Sequence, residues 1–304
     1  MVSEMRPQIA ATLTELFERD DRLAIVLAEI STDLFRGPRR LDPARAVNVG
    51  IMEATMVGVA AGFAMEGFHP VAHTIGPFMA ERPFEQLKLD FGYQGLEGTF
   101  VSVGGSYDYG AEGGTHHAPG DVGVLATIPG MEILTPGTAA EAARFIRAIY
   151  ANGRASYLRA STAQNDDSFD MAPGELLVVR RGVAPDAPTV LAFGPMLTRT
   201  LVATTGLDVT VAYATSVVPF DRDGLARIVG ERPHVIAIEP WFEGTVTGVL
   251  AATLAHVPSR IHAIGVPRRF LRSYGTAAEH DRDLGLDEVG IGGRLRSMLA
   301  GRAA

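Results

Sequence analysis

The sequence predicts an α/β protein with two domains, each built around a parallel β-sheet. Short apolar runs alternate with segments of helical spacing or length, and this alternation occurs twice along the chain. A polar, turn-rich segment at 161–175 separates the two series, and 304 residues are long for one domain but comfortable for two. We therefore place the first domain at 1–165, a linker at 166–178 and the second domain at 179–304.

In the first domain, the apolar runs have the length and composition of strands buried in a parallel sheet. These predicted strands lie at 23–28, 71–75, 98–103, 131–135 and 156–159. Predicted helices lie at 6–19, 50–66, 80–93 and 138–151. Because strands and helices alternate, we expect parallel pairing between the strands.

The second domain repeats this pattern after the linker. Its predicted strands lie at 189–194, 209–214, 234–239 and 260–264. Its predicted helices lie at 196–205, 223–229, 245–256 and 287–300. We therefore expect the same kind of layered α/β fold in both halves of the chain.

The composition excludes several classes of protein. A formal net charge of −8 without a basic stripe argues against a nucleic-acid partner. The absence of cysteine excludes disulfides, thiolate nucleophiles and cysteine-bound metals. Residues 1–6 lack an apolar signal region, and no apolar run is long enough to span a bilayer. We therefore expect a cytoplasmic protein without membrane contact.

The predicted helix at 50–66 carries one acid, Glu53, near the start of a run of small and apolar residues. Such a helix is expected inside the protein, where a carboxylate is costly unless it is hydrogen-bonded or neutralised. Glu53 is therefore either a residue with a specific partner or a first-turn acid that complements the helix N-terminus. The residues of this helix alone leave both interpretations open.

A glycine-rich segment at 104–121 follows a predicted strand, the position at which parallel sheets carry ligand sites. It contains the acids Asp108 and Glu112 and the adjacent histidines His116 and His117, which suit acid–base chemistry. The alternative is a surface loop whose glycines serve turns. We expect no metal site here, because adjacent histidine side chains rarely converge on one ion.

Five motifs together resemble one enzyme family. They lie at 50–53, 113–117, 128–131, 265–270 and 284–287. Their order and spacing resemble the pyrimidine-binding and C-terminal domains of transketolases. The same domains occur in 1-deoxyxylulose-5-phosphate synthases and in the β subunits of 2-oxo acid dehydrogenases. The resemblance covers nearly the whole chain.

The resemblance implies thiamine diphosphate as the cofactor and Glu53 as a catalytic residue. In this family a protonated carboxyl donates to the pyrimidine ring of the cofactor, a role that burial in an apolar pocket favours. The cofactor-binding set implied for this chain is Glu53, Met52, Phe78, Phe84 and Glu29. Phe78 is our first choice for the aromatic wall of the pyrimidine site, and Phe84 is the second.

The resemblance also implies a set of substrate-binding residues. His116 matches a histidine of the substrate channel and is the second predicted catalytic residue, with His117 beside it. Glu112 stands in the place of an acid that senses a substrate hydroxyl, and Arg159 matches an arginine that binds substrate phosphate. Gly104 stands where transketolases usually carry another phosphate-gripping histidine, so the phosphate site is only half present.

The chain lacks the Gly-Asp-Gly signature of the diphosphate-binding domain, since residues 120–122 read Gly-Asp-Val. The resemblance therefore implies a split enzyme with an α2β2 assembly. A separate N-terminal subunit would carry the Gly-Asp-Gly site and hold the diphosphate and Mg²⁺, and the cofactor would lie at the junction. No metal ligand is predicted in this chain, and the expected substrate is a small ketose or 2-oxo acid.

Three functions remain open from the sequence. The first is a transketolase subunit that moves a two-carbon ketol unit from a ketose or hydroxypyruvate-like donor. The second is the β subunit of a 2-oxo acid dehydrogenase, or a decarboxylating enzyme like 1-deoxyxylulose-5-phosphate synthase. The third is a non-catalytic subunit that only supports assembly. A dehydrogenase of the Rossmann type is not favoured, because no Gly-x-Gly-x-x-Gly turn follows a predicted strand.

Overall fold

The structure, a computed structural model, describes residues 4–300. The outermost parts of the two predicted domain ranges, 1–3 and 301–304, lie outside the described residues. Within the described chain, strands and helices alternate in two series, and each series forms the main part of its own sheet.

The helices and strands have the following bounds. The helices are α1 (Met5–Arg19), α2 (Arg36–Leu41), α3 (Glu53–Met65), α4 (Gly76–Ala80), α5 (Phe84–Gln86), α6 (Asp121–Leu125), α7 (Ala139–Ile149), α8 (Leu197–Ala203), α9 (Arg222–Ile228), α10 (Thr247–Thr253), α11 (Ala277–Leu284) and α12 (Glu288–Ala300). The strands are β1 (Leu23–Leu27), β2 (Ala46–Asn48), β3 (His69–Ile75), β4 (Gly98–Val103), β5 (Glu132–Leu134), β6 (Ala155–Arg159), β7 (Leu176–Arg180), β8 (Thr189–Phe193), β9 (Thr210–Ala214), β10 (Ser216–Val218), β11 (His234–Phe242) and β12 (Arg260–Val266). No helix within residues 4–300 combines the length and apolar character needed to cross a bilayer.

The two sheets confirm the predicted α/β class. The first has the strand order β10-β5-β6-β4-β3-β1-β2, and the second has the order β12-β11-β8-β9-β7. All neighbours pair in parallel except at one edge of each sheet, where β10 runs antiparallel to β5 and β7 runs antiparallel to β9. The sequence predicted wholly parallel sheets. Both sheets are mixed instead, because each has one antiparallel edge strand.

The boundaries between the two halves also differ from the prediction. The predicted linker at 166–178 ends inside β7, because Leu176 and Val178 pair with β9 of the second sheet. Strand β10 belongs to the second half of the chain but joins the first sheet. Strands this short, paired with a distant segment, leave little periodic signal in the local sequence.

Helices cover both faces of the first sheet. Ile25 and Val101 pack in one hydrophobic cluster with α1 and α7. Val26 and Phe100, which point to the opposite face, pack in another cluster with α3. Strands buried on both faces are apolar throughout rather than alternating, which is why the predicted strands read as continuous apolar runs.

Two predicted helices have different bounds in the structure. The helix predicted at 50–66 begins at Glu53, because Gly50 has a φ of 79° and Met52 is not helical. The helix predicted at 80–93 is interrupted at Pro83 and continues as α5 and a π-helical turn at Leu87–Tyr93. A proline lacks the N–H that a continuous helix would need at this position.

Helix α3 is not enclosed on all sides, contrary to the expectation from its composition. Its buried side chains are Glu53, Met56, Val57, Ala60 and Ala61. Its exposed positions include Ala54, Gly58, Gly62 and Met65. The apolar composition of the helix therefore reflects one face packed on the sheet and a second face that this chain leaves uncovered.

Candidate functional site

The predicted site residues follow the carboxyl ends of neighbouring strands in the first sheet. Glu29 follows β1, Glu53 follows β2, Phe78 follows β3, and the loop with His116 follows β4. These strands are adjacent in the order β4-β3-β1-β2. Carboxyl ends of parallel strands meet at the same edge of a sheet, so the topology gathers these residues at one edge.

Glu53 is the first residue of α3, and only 4% of it is exposed. It therefore combines both interpretations left open by the sequence, since it is a first-turn acid and also a buried one. Its Oε1 accepts a hydrogen bond of 2.8 Å from Nη1 of Arg82. Its Oε2 accepts no hydrogen bond from any residue within 4–300, which leaves one carboxyl oxygen for a ligand.

Phe78 connects the Glu53 region with the histidine loop. The guanidinium carbon of Arg82 lies 3.5 Å from the centroid of the Phe78 ring, a close cation–π contact. The Phe78 ring also has a second aromatic neighbour, because its centroid lies 5.4 Å from that of the His116 ring. Glu53, Arg82, Phe78 and His116 thus form one continuous series of contacts.

The other predicted cofactor residues have different surroundings. Phe84 is half-buried and packs against the hydrophobic cluster beside α3, so it has the position of a core residue. Met52 caps the N-terminus of α3 and is 56% exposed, next to the exposed Ile51. Of the two candidate phenylalanines, Phe78 is therefore the one in contact with other predicted site residues.

Glu29 lies in a turn with an unusual backbone. Both Glu29 and Ser31 have positive φ values, 66° and 63°, which non-glycine residues rarely adopt. Asn48 holds this turn, because its Oδ1 accepts from the Glu29 N–H at 2.9 Å and its Nδ2 donates to Glu29 Oε2 at 2.9 Å. Strained turns of this kind cluster at functional sites. Sequence reasoning missed Asn48, because the three-residue strand β2 that it ends leaves no periodic signal.

His116 is half-buried and has one ring nitrogen engaged. Its Nδ1 lies 2.9 Å from Oγ1 of Thr115, so Nε2 is the nitrogen left for a substrate. Glu112 is exposed on the same loop, in a short 3₁₀ turn. Both predicted residues are therefore accessible at the sheet edge.

His117 is not presented to this site, and its predicted role in substrate binding is corrected. Its ring is buried and lies 5.5 Å from the ring of His280 in the second domain, at an interplanar angle of 85°. Burial lowers the pKa of His117, and the neighbouring His280 and His116 lower it further. His116 ends a short 3₁₀ turn and lies beside Phe78, whereas His117 follows that turn and lies beside His280.

Arg159, predicted to bind substrate phosphate, is buried within this chain and paired with other residues, so that role stays a prediction. The residue is 1% exposed, and its Nε donates to Oδ2 of Asp121 at 2.7 Å. Its Nη2 donates to Oγ of Ser106 at 2.8 Å. Burial is the largest single influence and lowers the pKa of Arg159, but Asp121, Tyr157 and Asp108 together hold that pKa above its usual value. The sequence offered Asp121 as a neighbour in the loop, but it did not indicate this pairing.

Gly104 stands where the family usually has a histidine that binds phosphate, and the surrounding loop explains why no side chain fits there. Gly104 has a φ of 75°, and the ring of Tyr109 occupies the space that a side chain at 104 would need. The loop has thus replaced one side chain at its start by an aromatic ring from within the loop.

An exposed apolar surface borders Glu53. It consists of Ile51, Met52, Gly58, Gly62, Met65, Leu89 and Tyr93, and we call it the α3 surface. Tyr93, at the end of the π-helical turn that packs against α3, is 87% exposed. Contiguous apolar surfaces of this kind mark protein–protein contacts. The Glu53 site is therefore open on a side where a second chain would fit.

Comparisons with known proteins identify the family. Residues 3–165 match the family described as "Transketolase, pyrimidine binding domain". An uncharacterized 33.6 kDa protein in the fasciation locus of Rhodococcoides fascians is 37% identical over 301 residues, 98% of this chain and 95% of that protein. One subunit of the apulose-4-phosphate transketolase of Phocaeicola vulgatus is 27% identical over 94% of each chain. A 1-deoxy-D-xylulose-5-phosphate synthase of Geobacter sulfurreducens is 30% identical, over 95% of this chain and 48% of the enzyme.

Solved structures share the fold. A structure described as a split-gene transketolase, an inactive β4 tetramer, superposes with a TM-score of 0.83 at 22% identity and covers 99% of both chains. The family match takes in more than half of the chain, and the relatives in Rhodococcoides and Phocaeicola align over nearly their full length. The chain therefore belongs to the transketolase family, and its residues 3–165 are the pyrimidine-binding domain of that family.

Proposed function

We propose that this chain is the C-terminal subunit of a two-component, thiamine-diphosphate-dependent transketolase. In this proposal the assembled enzyme transfers a two-carbon ketol unit from a ketose or hydroxypyruvate-like donor to an acceptor. The observation that carries the proposal is the series of contacts from buried Glu53 through Arg82 and Phe78 to His116. This series lies at the sheet edge where the family binds its cofactor.

The residues at this edge fit the pyrimidine end of thiamine diphosphate. Glu53 offers a buried carboxyl with one oxygen free of hydrogen bonds, and Phe78 offers an aromatic ring beside it. When bound, the cofactor supplies a nucleophilic carbon for attack on a ketone. Glu53 would hold the proton that it donates to a ring nitrogen of the heterocycle.

Arg82 would change partner when the site is filled. A carboxyl that donates its proton to a heterocycle is neutral, and it is then a poor partner for a guanidinium. Arg82 is 45% exposed and can move into solvent without leaving a buried charge unpaired. We therefore interpret the Glu53–Arg82 ion pair as the arrangement of the separate chain.

His116 would act on the substrate side of the site. Its free Nε2 is suited to hold a donor oxygen and to move a proton during carbon–carbon bond cleavage. Glu112, exposed on the same loop, would accept a hydrogen bond from a donor hydroxyl. His117 and Arg159 take no part in this assignment, because both are buried against other residues.

The proposed partner is an N-terminal subunit with the Gly-Asp-Gly site for the diphosphate and Mg²⁺, in an α2β2 assembly. The Phocaeicola relative is named as one subunit of a transketolase, which supports a two-component enzyme. The α3 surface supplies an apolar area beside Glu53 for the contact.

A decarboxylating enzyme like 1-deoxyxylulose-5-phosphate synthase is the second candidate. The 30% identity to the Geobacter enzyme favours it. Arg159 is buried, which removes one argument for a phosphorylated ketose donor. An experiment must therefore distinguish a ketose or hydroxypyruvate donor from pyruvate.

The experiment uses this chain purified together with its partner subunit, thiamine diphosphate and Mg²⁺. Hydroxypyruvate and xylulose 5-phosphate are compared with pyruvate as donors. We expect turnover with the first two donors, whereas turnover with pyruvate alone would establish the second candidate. The single chain should show no turnover, as the "inactive" β4 description of the structural neighbour leads us to expect.

Glu53→Gln provides the matched test of the site, because glutamine keeps the shape and loses the carboxyl proton. We expect kcat of the assembled enzyme to fall by about 100-fold or more. Glu66→Gln, at the exposed C-terminal end of the same helix, should leave kcat unchanged. Equal activity of the Glu53→Gln and wild-type assemblies would instead favour a non-catalytic subunit.

A further inference from the structure

We propose that the second domain positions the catalytic loop, and that His280 on α11 is the positioning residue. The inference rests on the proposed function, since it assigns to the second domain a task in the reaction of the first. His280 touches neither substrate nor cofactor in this account, and it acts through His117 on the neighbouring His116.

The two ends of the loop at 106–119 are attached to the second domain. The hydroxyl of Ser106 donates to the carbonyl of Pro240, at the end of β11. The N–H of Phe242 donates to the carbonyl of Pro119 at 2.8 Å. Both attachment points lie on one strand of the second sheet, so the loop spans a fixed distance between them.

The middle of the loop packs so closely on the second domain that two positions have no room for a side chain. A Cβ at Gly110 would lie 2.6 Å from the carbonyl oxygen of Gly275 and 2.6 Å from Cδ2 of His280. A Cβ at Gly113 would lie 2.6 Å from the ring of Tyr274. The glycines of this loop therefore serve close contact between domains, in addition to turns.

His280 lies at the centre of this contact. Its buried ring lies 5.4 Å from the ring of Tyr107 and 5.5 Å from the ring of His117. Each of these distances is within the range of aromatic pairs. Nε2 of His280 and Nε2 of His117 are buried without a hydrogen bond to any residue within 4–300, so at these atoms the two rings meet by packing alone.

The helix that carries His280 is firmly held. Thr276 and Glu279 form a capping box at its start. Asp281, which follows His280 in the helix, accepts a hydrogen bond from the hydroxyl of Tyr107 at 2.7 Å. It also forms an ion pair with Arg199 at 2.7 Å. A ring on such a helix is a rigid support for a loop that is otherwise rich in glycine.

The consequence for the reaction follows from the adjacency of the two loop histidines. His117 is fixed against His280, and His116 is the next residue along the chain. A displacement of the His117 ring therefore displaces the Nε2 that we assign to the donor oxygens. A misplacement of about 1 Å in a catalytic group costs about 100-fold in rate.

The test compares His280→Ala with His280→Phe in the assembled enzyme. His280→Ala removes the ring, and we expect kcat to fall by about 100-fold with an unchanged KM for thiamine diphosphate. His280→Phe keeps the ring between Tyr107 and His117, and it should restore most of kcat. A purely structural role would lower thermal stability but leave kcat unchanged at temperatures well below melting.

His262→Ala is the matched control. The ring of His262 pairs with that of His234 at 5.2 Å. The two residues lie on β12 and β11 of the second sheet, away from the loop at 106–119. This variant should retain wild-type kcat. If His280→Ala has wild-type kcat, or if His280→Phe is as impaired as His280→Ala, the proposal is wrong.

A second measurement separates this proposal from the proposed function. The ring Cε1–H signal of His116 can be followed by NMR in the single chain, which has eight histidines, and assigned with His116→Gln. We expect this signal to shift or broaden in His280→Ala but not in His280→Phe or His262→Ala. An inactive wild-type assembly overturns the proposed function, whereas an unchanged His116 signal in His280→Ala overturns the positioning role.

Discussion

At the scale of single residues, the main lesson concerns Arg159. The resemblance to transketolases implied it as a ligand for phosphate, because it matches an arginine with that role in the family. The structure instead buries it in a network in which Asp121 accepts from both Arg159 and the hydroxyl of Tyr157. A buried arginine without this carboxylate would be an uncompensated charge, so the network is a requirement of the fold.

Asp121→Asn should therefore destabilise the chain strongly. Removal of one partner from a buried ion pair costs about 3–5 kcal/mol. Glu15→Gln, which breaks contacts to the exposed Arg19 and half-exposed Arg147, should cost far less, because solvent screens exposed ion pairs. Urea unfolding of the two variants and the wild type measures both values. A loss for Asp121→Asn no larger than that for Glu15→Gln would contradict the account.

His73 should make stability depend on pH. Burial lowers its pKa to about 4, and its ring contacts Oγ of Ser31 at 2.8 Å and the carbonyl of Val101 at 3.0 Å. An unfolded histidine binds its proton near pH 6.5. As the pH falls from 6.5 towards 4, the unfolded state takes up a proton that the folded state does not. The free energy of unfolding should therefore fall by about 1.4 kcal/mol per pH unit from this group.

The check on His73 is a comparison of pH profiles. Urea unfolding of the wild type and of His73→Gln is measured at several pH values between 7 and 4.5. The difference in free energy of unfolding between the two proteins should shrink as the pH falls. A constant difference over this range would show that His73 does not carry the effect.

At the scale of elements, helix α3 has two faces with different tasks. One face packs on the first sheet, and the other exposes Ala54, Gly58 and Gly62. Small residues let another backbone approach closely, and the glycines Gly58 and Gly62 lower the stability of an exposed helix in water. The composition of α3 is therefore better explained by contact with a second chain than by the needs of this one.

Gly58→Leu should block assembly without unfolding the chain. A Cβ at Gly58 meets no atom within 4 Å, so the added side chain fits in the single chain. Replacing a helical glycine also raises helix stability by up to about 1 kcal/mol. We expect a normal melting temperature for the single chain and a much weaker association with the partner subunit, measured by light scattering after size-exclusion chromatography.

Gly293→Leu is the control for this prediction. Gly293 is exposed in α12, and a Cβ there also meets no atom within 4 Å. This variant should assemble like the wild type. Normal assembly of Gly58→Leu would place the subunit contact elsewhere on the chain.

The strands that form continuous apolar runs were predictable from the sequence, whereas several short elements were not. The strands β1, β3, β4 and β6 follow from runs that are buried on both faces. The short elements α2, β2 and β10 were missed, because three to six residues do not establish a period. Helix α11 was also missed, since its capping box at Thr276 lies in a polar segment without a clear apolar period.

The same distinction applies to the candidate site. The resemblance of local motifs implied Glu53, Phe78 and His116. In the structure Arg82 links Glu53 to Phe78, and the Phe78 ring lies beside His116. The burial of His117 and Arg159 was not predictable, because their partners His280 and Asp121 come from other elements. Motifs thus identified which segments form the site, and long-range packing decided which side chains face it.

At the scale of the whole molecule, the two halves of the chain are interdependent. The second half supplies β10 to the first sheet and carries the support for the catalytic loop. The first half carries the proposed cofactor residues at an edge that borders the exposed α3 surface. In the enzyme we propose, one interface within the chain orders the site, and a second interface, with another chain, closes it.

The central claim is that Glu53 donates its proton to a bound pyrimidine ring in the assembled enzyme. The most direct measurement is the rate at which the thiazolium C2 proton of bound thiamine diphosphate exchanges with deuterium, followed by quenched-flow NMR without any substrate. The account predicts rapid exchange in the wild-type assembly and exchange slower by about 100-fold or more in an intact Glu53→Gln assembly. Equal exchange rates in the two assemblies would contradict it.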